Sequence, residues 1–342
     1  MEIEQCDVDT AFLYGKLEEE IYMELPEGLR ELLDLAEAET ETIDKHLKSM
    51  EFKPADADPC VYTRGKGEDE CIVCLNVDDM LIASRQKAVI ASVKAGIAEK
   101  YRIKDMGRAH FILGIEIDYD MERRTLGISQ KAYTESITKK FGQENAKPCL
   151  TPLEPVAKLS RFLENPGEKH WDAGIKVVRY LLKTKDVDIV YDGLLGTQLE
   201  AYSDADWAGN RDDRRSVSGV VLMLCGAPVV WLSTFQKTVA LSSTEAEYMA
   251  LSDCVKDGAT VIYEDNQGAM ALVKNVGYQA RTKHIDIRYH FIREKVVSNE
   301  VELEYVDTKN QLADFMTKGL SSKTLRYLMM RSNVGPKLET SN

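Results

Sequence analysis

Four acidic residues in the C-terminal half of the chain could together hold a pair of divalent cations. Asp204 closes a predicted strand, Glu247 lies in a predicted helix, and Asp265 ends the predicted strand VIYED. Asp314 lies in the last predicted helix. Carboxylate oxygens are preferred ligands of Mg²⁺, and in a two-metal site one ion activates water while the other stabilises the leaving oxygen of a phosphodiester. Taken alone, each residue is better explained as a solvated surface group, since acidic side chains are mostly exposed.

The segment STEAEYMALSDCVK contains two glutamates, and helical spacing favours Glu247 as the ligand. Apolar residues lie three, four and seven positions after Glu247, so this side chain borders the buried face of the helix. Glu245 shares its face with Ser252 and Lys256, and we expect it to point towards solvent. Each glutamate also ends a capping-box pattern, so the sequence places a helix start close to both.

A pair of aspartates lies between two apolar runs in CIVCLNVDDMLIAS, residues 71–84. Asp78 and Asp79 offer the carboxylates of a metal site, but Asp is also a favoured turn residue. On the residues alone, a hairpin turn is the better interpretation of this pair.

The composition describes a globular protein of two or three domains, with 342 residues, 44% apolar and 30% charged. The longest apolar run, VVLMLCGAPVVWL, is interrupted by Gly226 and Pro228 and is too short to span a bilayer. The N-terminal MEIEQCDVD has neither a basic n-region nor an apolar h-region. We therefore expect an intracellular protein, in the cytoplasm or nucleus, whose seven cysteines are free thiols.

The net charge of −13 argues against a nucleic-acid partner, but its distribution is uneven. Residues 1–70 contain 21 acidic against 7 basic residues, whereas residues 281–295 contain five basic and two acidic residues. The second segment could contact phosphates, although a solvated helix face would have a similar composition. The candidate nucleic-acid-binding residues are Arg281, Lys283, His284, Arg288, His290 and Arg293.

Apolar spacing predicts a mixed α/β protein throughout. In the last part, strands at 199–206 and 216–224 precede a hairpin turn at Gly226–Pro228, a further strand at 237–242, and alternating helices and strands. Turn-forming residues cluster between 142 and 170. The predicted divisions are a first domain at 1–150, a linker at 151–196, a last domain at 197–320 and a tail at 321–342.

Long ordered blocks of the last domain resemble the ribonuclease H domain of copia-type retrotransposon Pol polyproteins. These blocks are AYSDADWAGNRDDRRSVSG, VVWLSTFQKTVALSSTEAEYMAL, EDNQGAMALVKN, RTKHIDIRYHFIREK and NQLADFMTKGL. The resemblance implies a mixed five-stranded sheet with flanking helices, and it assigns the metal-binding carboxylates to Asp204, Glu247, Asp265 and Asp314. The connection DCVKDGATVIYED is shorter than the family pattern.

The N-terminal half resembles part of the reverse transcriptase of the same family, a palm strand, a catalytic hairpin and thumb-like segments. The blocks CDVDTAFLYGKLEEEIYMELPEG and CLNVDDMLIAS carry this resemblance. It matches Asp7, Asp78 and Asp79 to polymerase metal ligands and Phe12 to the residue that screens the sugar of the incoming nucleotide. Asn76 stands where the family has tyrosine, an acidic stretch replaces a basic, aromatic nucleotide-binding block, and the segment that precedes the palm strand in the family is absent.

The resemblance implies an enzyme that cleaves RNA in RNA–DNA hybrids with two Mg²⁺ or Mn²⁺ ions, and whose polymerase part is inactive. Its expected partners are a hybrid nucleic acid and other retrotransposon polyprotein products. The alternative is a decayed transposon product without catalysis that at most binds nucleic acid. Three apparent internal deletions favour the alternative, whereas the retained set of four carboxylates favours the enzyme.

Overall fold

The computed structural model describes residues 1–8, 43–152, 165, 167–210, 212–256, 260–274 and 286–336. The chain divides into two compact units, Met1–Leu113 and Gly114–Asn342. The sequence prediction placed the first boundary near residue 150. The compact units divide earlier because the strand at 125–129 pairs with both the strand at 115–120 and the strand at 187–192.

The first unit is built on an antiparallel sheet with strands in the order β2-β3-β4-β5-β1-β6. The strands are β1 Glu2–Val8, β2 Lys53–Pro54, β3 Val61–Arg64, β4 Cys71–Asn76, β5 Asp79–Ser84 and β6 Ile103–Arg108, and a short β7 spans Phe111–Ile112. Alternate residues of the central strands, such as Val73 and Ile82, are fully buried with Ile90 and Val93 of the helix Lys87–Ala98. Residues 43–49 are also helical, and Leu47 joins this core.

The second unit contains two sheets. In the first, strands lie in the order β16-β10-β9-β8, with β8 Ile115–Asp120, β9 Thr125–Ser129, β10 Val187–Asp192 and β16 Val334–Pro336. The helices Lys131–Lys140 and Glu168–Thr184 lie between these strands in the chain. The segment predicted as a linker at 151–196 therefore contributes a helix and a paired strand, and the predicted tail contains the helix Ser322–Arg331, whose Leu325 and Leu328 are buried.

The second sheet of this unit has five strands in the order β13-β12-β11-β14-β15. Its strands are β11 Glu200–Asp206, β12 Val217–Leu224, β13 Ala227–Phe235, β14 Val261–Glu264 and β15 Glu302–Tyr305. The pairs β13–β12 and β12–β11 are antiparallel, and the pairs β11–β14 and β14–β15 are parallel. This arrangement confirms the predicted mixed five-stranded sheet.

Helices cover both faces of that five-stranded sheet, and the helix bounds are Ser243–Lys256, Gln267–Lys274, Asp286–Val297, Asp314–Thr317 and Ser322–Arg331. On one face Val220 and Leu222 pack with Tyr248 and Leu251 of the longest of these helices. On the other, Tyr202 and Val221 pack with Leu328. The alternation along each strand therefore divides its side chains between two apolar layers.

Two local predictions for this sheet were wrong. The hairpin turns at Cys225 and Gly226, with φ of 51° and 76°, one residue before the predicted Gly226–Pro228 turn. Two residues with positive φ form the tight turn that matches the twist of paired strands. Residues 237–242 do not form the predicted strand. The preceding strand β13 lies at the edge of the sheet, and among the described residues it pairs only with β12.

No helix in the described part of the chain combines the length and apolarity that a bilayer crossing requires.

Candidate metal centre

Asp204 and Asp265 are brought together by the register of two parallel strands. Tyr202 of β11 pairs with Tyr263 of β14, and the two rings stack with centroids 4.8 Å apart. Each aspartate follows its tyrosine by two residues, so the carboxylates lie at the same level of neighbouring strands. The sequence analysis placed Asp204 at the end of a strand. β11 continues to Asp206, so Asp204 lies within the strand instead.

Glu247 reaches the same point from the helix Ser243–Lys256. Carboxylate oxygens of Asp204, Glu247 and Asp265 all lie within 4.8 Å of one another. Asp204 is 1% exposed and Glu247 is 7% exposed, whereas Asp265 is half-buried. Three of the four predicted ligands therefore form one partly enclosed cluster of hard oxygen donors, which we call the acidic triad.

Burial and like charge act together on Glu247. Its Oε2 is buried without a hydrogen-bond partner among the described residues. Burial first, and then the negative charges of Glu264, Asp204 and Asp265, raise the pKa of Glu247 far above its ordinary value. The positive charge of Lys318 lowers this pKa but does not cancel the rise, so the charged form of Glu247 is only partly compensated.

Asp314 belongs to the same region, but it is joined to Asp204 through a lysine rather than to the acidic triad directly. Lys318 Nζ lies 2.9 Å from Asp204 Oδ1 and 2.6 Å from Asp314 Oδ1. Thr317 Oγ1 donates to the other oxygen of Asp204. Burial raises the pKa of Asp314 to about 6, although the hydrogen bond from Lys318 opposes this rise.

Sequence reasoning missed Lys318 and the buried Glu264. Lys318 follows Asp314 by four residues, a spacing that predicts an ion pair on one helical face. Glu264 has no exposed surface; its Oε1 accepts from the Asn266 N–H at 3.0 Å, and its Oε2 has no partner among the described residues. Its position next to Asp265 was the available signal in the sequence. Strand alternation directs neighbouring side chains to opposite faces, so the effect of Glu264 on the pKa of Glu247 was not expected.

The expectation that Glu245 faces solvent was wrong. Glu245 is 4% exposed, and its Oε2 accepts from the Leu241 N–H at 2.8 Å. Ser242 Oγ accepts from the Glu245 N–H at 3.2 Å, as in a capping box. The carboxylate therefore folds back over the helix start, where it satisfies a backbone donor that helical spacing alone does not reveal.

Gly219 allows the segment that contains Asp314 and Lys318 to approach the sheet. Gly219 is the register partner of Asp204 on β12. A Cβ at this position would lie 2.6 Å from Thr317 Cγ2, 2.9 Å from Met316 Cβ and 3.0 Å from the Ala313 carbonyl oxygen. The helix Asp314–Thr317 can lie against β12 only because residue 219 has no side chain.

Gly219→Ala should therefore lower the free energy of unfolding by about 1–3 kcal/mol, because the added methyl group overpacks this contact. Gly335→Ala is the matched control, since a Cβ there would meet nothing within 4 Å. Urea unfolding followed by circular dichroism measures both variants. Equal stability of Gly219→Ala and wild type would show that the helix Asp314–Thr317 does not need this close approach.

Two of the polymerase-like aspartates lie at one hairpin and the third lies on the neighbouring strand β1, but the three do not form a second cluster of this kind. Asp79 pairs in register with Asp7 of β1, and Asp78 lies in the two-residue turn after Asn76. All three aspartates are described, and among the described residues they do not meet the spacing that unites the acidic triad. Gln5 Nε2 donates to Asp79 Oδ1 at 3.0 Å, and burial followed by the charges of Asp7 and Asp79 raises the pKa of Asp78. Phe12 lies outside the described residues.

The predicted nucleic-acid-binding residues are only partly described. Arg281, Lys283 and His284 lie outside the described residues, and the side chains of Arg288 and His290, on the helix Asp286–Val297, are not described. Arg293 is half-buried, and its guanidinium donates to the Leu272 carbonyl at 2.9 Å near the end of the helix Gln267–Lys274. That contact gives Arg293 a role in joining two helices, and phosphate binding by the segment stays a prediction.

Comparison with known proteins relates both halves of the chain to polyproteins of transposons. A family model described as reverse transcriptase (RNA-dependent DNA polymerase) matches residues 1–155. The retrovirus-related Pol polyprotein from transposon TNT 1-94 of Nicotiana tabacum is 35% identical over 395 residues, which cover 93% of this chain and 30% of that polyprotein. The chain is a homologue of copia-type retrotransposon Pol polyproteins. The resemblance that the sequence motifs suggested is thereby confirmed.

The similarity to these Pol polyproteins covers most of this chain but only a part of each polyprotein. The retrovirus-related Pol polyprotein from transposon RE1 of Arabidopsis thaliana is 29% identical over 389 residues, which cover 93% of this chain and 26% of that polyprotein. The chain thus spans less than a third of the length of these relatives. Both alignments are longer than the chain's 342 residues, so the relatives contain internal segments that this Pol homologue lacks. Among solved structures, the ribonuclease H1 of Halobacterium salinarum is 16% identical, with 38% of this chain and 98% of that chain covered and a TM-score of 0.29.

Proposed function

We propose that the last part of this Pol homologue, residues 197–320, cleaves the RNA strand of RNA–DNA hybrids with bound Mg²⁺ or Mn²⁺. One observation supports this proposal above the others: Asp204, Glu247 and Asp265 converge from three elements to within 4.8 Å. Lys318 contacts both Asp204 and Asp314, so all four predicted ligands belong to one region. Single surface acids would not be expected to converge in this way.

The acidic triad fits a divalent cation by its chemistry. Its donors are all carboxylate oxygens, which suit Mg²⁺ and Mn²⁺ better than softer metals. The buried Glu247 Oε2 without a partner is the kind of atom that a cation would satisfy. When bound, divalent ions would supply Lewis-acid activation of water and stabilisation of the leaving oxygen at an RNA phosphodiester.

The protein's own contribution is to hold the oxygens in place before substrate arrives. Asp204 and Asp265 are positioned by strand register, and Glu247 by a helix whose Tyr248 and Leu251 are fully buried. Such rigid supports keep the donors at a common spacing without reorganisation during the reaction. Hybrid selection would use 2′-OH contacts and groove shape, with the basic residues of 281–295 near backbone phosphates.

We propose in addition that the reverse transcriptase-like part does not polymerise. Asp7, Asp78 and Asp79 do not converge as the acidic triad does. The stretch at 29–57, where the family resemblance calls for a basic, aromatic block, is acidic. A polymerase requires its carboxylates beside a bound triphosphate, and an acidic surface would repel one.

Cleavage of a labelled RNA–DNA hybrid, compared with duplex DNA and single-stranded RNA, tests the proposal. Wild-type protein with Mg²⁺ should cut only the hybrid's RNA strand, and a chelator should stop the reaction. Asp265→Asn should lower the rate on the order of a hundredfold, since one charged donor is lost while Asp204 and Glu247 stay. Glu302→Gln, an exposed carboxylate on the neighbouring strand β15, should cut like wild type.

A second candidate is a nucleic-acid-binding product without catalysis, and the internal segments missing relative to both plant polyproteins favour it. Hybrid binding by folded wild-type protein, with no cleavage in either Mg²⁺ or Mn²⁺, would support this candidate over the nuclease.

A further inference from the structure

Lys318 places a positive charge inside the cluster of carboxylates. Its Nζ contacts Asp204 Oδ1 at 2.9 Å and Asp314 Oδ1 at 2.6 Å. The two carboxylates are almost completely buried, with side-chain exposures of 1% and 10%. Thr317 Oγ1 contacts the remaining oxygen of Asp204, so the sequence Thr317–Lys318 engages both oxygens of the central ligand.

This arrangement divides the carboxylates into two groups that share Asp204. The acidic triad of Asp204, Glu247 and Asp265 contains an oxygen without a partner, on Glu247. The other group, Asp204 with Asp314, already holds the ammonium of Lys318 between its oxygens. A divalent ion entering the first group meets the unpartnered Oε2 of Glu247, whereas one entering the second must displace a cation.

Displacement is physically feasible because Lys318 is not enclosed. Its side chain is 36% exposed, and a lysine carries its charge on a flexible four-carbon stem. The ammonium can therefore leave the carboxylates for solvent without movement of the backbone. The contacts that it leaves would be replaced by those of a doubly charged ion, which interacts more strongly with the same oxygens.

We propose that Lys318 is a resident counter-ion that occupies the place between Asp204 and Asp314 until a second divalent ion displaces it. It makes the two ions bind in order, the first tightly at the acidic triad and the second weakly between Asp204 and Asp314. Lys318 is thus a positioning residue that keeps Asp314 close to Asp204 in the metal-free protein. This inference rests on the part of the proposed function that concerns metal binding, and it does not require hybrid cleavage.

Titration calorimetry with Mn²⁺ on the chelator-treated full chain tests the order of binding. Wild type should show one tighter site and a second site at least about tenfold weaker. In Lys318→Gln the affinity of the second site should rise at least about tenfold, because no ammonium competes for its oxygens. Lys309→Gln, an exposed lysine whose Nζ lies 3.5 Å from Asp307, is the control and should titrate like wild type.

Thermal unfolding with and without Mn²⁺ provides a second measurement. In chelator, Lys318→Gln should melt at a lower temperature than wild type, since Asp204 and Asp314 lose their counter-ion, and Mn²⁺ should raise its melting temperature more than that of wild type. Lys318→Arg keeps the charge and should retain the weak second site, which covers the case in which Lys318→Gln does not fold without metal.

Three outcomes would overturn the inference. Identical isotherms for wild type and Lys318→Gln would show that the ammonium does not compete with metal. Weaker second-site binding in Lys318→Gln would show that Lys318 supports the metal site rather than occupying it. Absence of any Mn²⁺ binding in both folded proteins would remove the inference together with the proposed function, whereas the first two outcomes leave that function standing.

Discussion

Asp204→Asn should lower hybrid cleavage by at least about a thousandfold, equivalent to about 4 kcal/mol of transition-state stabilisation. Asp204 is the one carboxylate that belongs to both groups, since it contacts Lys318 and also lies within 4.8 Å of Glu247 and Asp265. Its loss therefore affects every proposed metal position, which explains why a larger effect is expected than for Asp265→Asn. Initial rates on a labelled hybrid at saturating Mg²⁺ measure the change.

The same substitution should leave the fold intact. Removing one of several like charges offsets part of the loss of the contact with Lys318, and asparagine has nearly the shape of aspartate. Mg²⁺ should raise the melting temperature of the wild type and of Glu302→Gln, and it should not raise that of Asp204→Asn. Retention of wild-type cleavage by a folded Asp204→Asn protein would eliminate the acidic triad as the catalytic site.

Primer extension on an RNA template should yield no product with this chain, whichever divalent metal is supplied. Asp78 lies in a tight turn, Asp79 accepts from Gln5, and these aspartates do not share the close spacing of the acidic triad with Asp7. The acidic stretch at 29–57 adds repulsion of template and triphosphate.

The polymerase assay requires deoxynucleotides, a primed RNA template and a known reverse transcriptase as the positive control. The expected contrast is full extension by the control enzyme and none by this chain at the same concentration. Template-dependent extension that Asp79→Asn removes would show that the hairpin still catalyses polymerisation, and the proposal about this part would then be wrong.

The members of the acidic triad were predicted from the family resemblance, together with the helical spacing that favours Glu247, and strand alternation explains why the two aspartates converge. Both tyrosine–x–aspartate spacings are visible in the sequence, and a parallel pairing of those strands places the aspartates side by side. The choice of Glu247 over Glu245 likewise follows from the apolar residues that succeed it, although Glu245 itself is buried for a different reason. The mixed sheet was predictable for the same reason, since each strand has its own apolar pattern.

Other features depend on contacts between distant residues and were not predictable. Lys318 donates to Asp204, which is 114 positions away in the chain, and to Asp314, which is four positions away. Only the four-residue spacing is a recognisable signal in the sequence. The pairing of β10 with β9 joins strands that are far apart in the chain, and no local pattern specifies that partner. Residues 237–242 alternate like a strand but do not pair in the sheet, and the local pattern does not reveal this.

The placement of Asp204 and Asp265 by register has a consequence for how this gene can change. The pairing of Tyr202 with Tyr263 lies within β11 and β14, so the level at which the two carboxylates meet follows from the strands and not from the length of the connection between Lys256 and Val261. Codons can be lost from such a connection while neighbouring strands keep their alignment. A transposon copy that erodes through loop deletions would therefore keep its chelating oxygens in place longer than its overall length suggests.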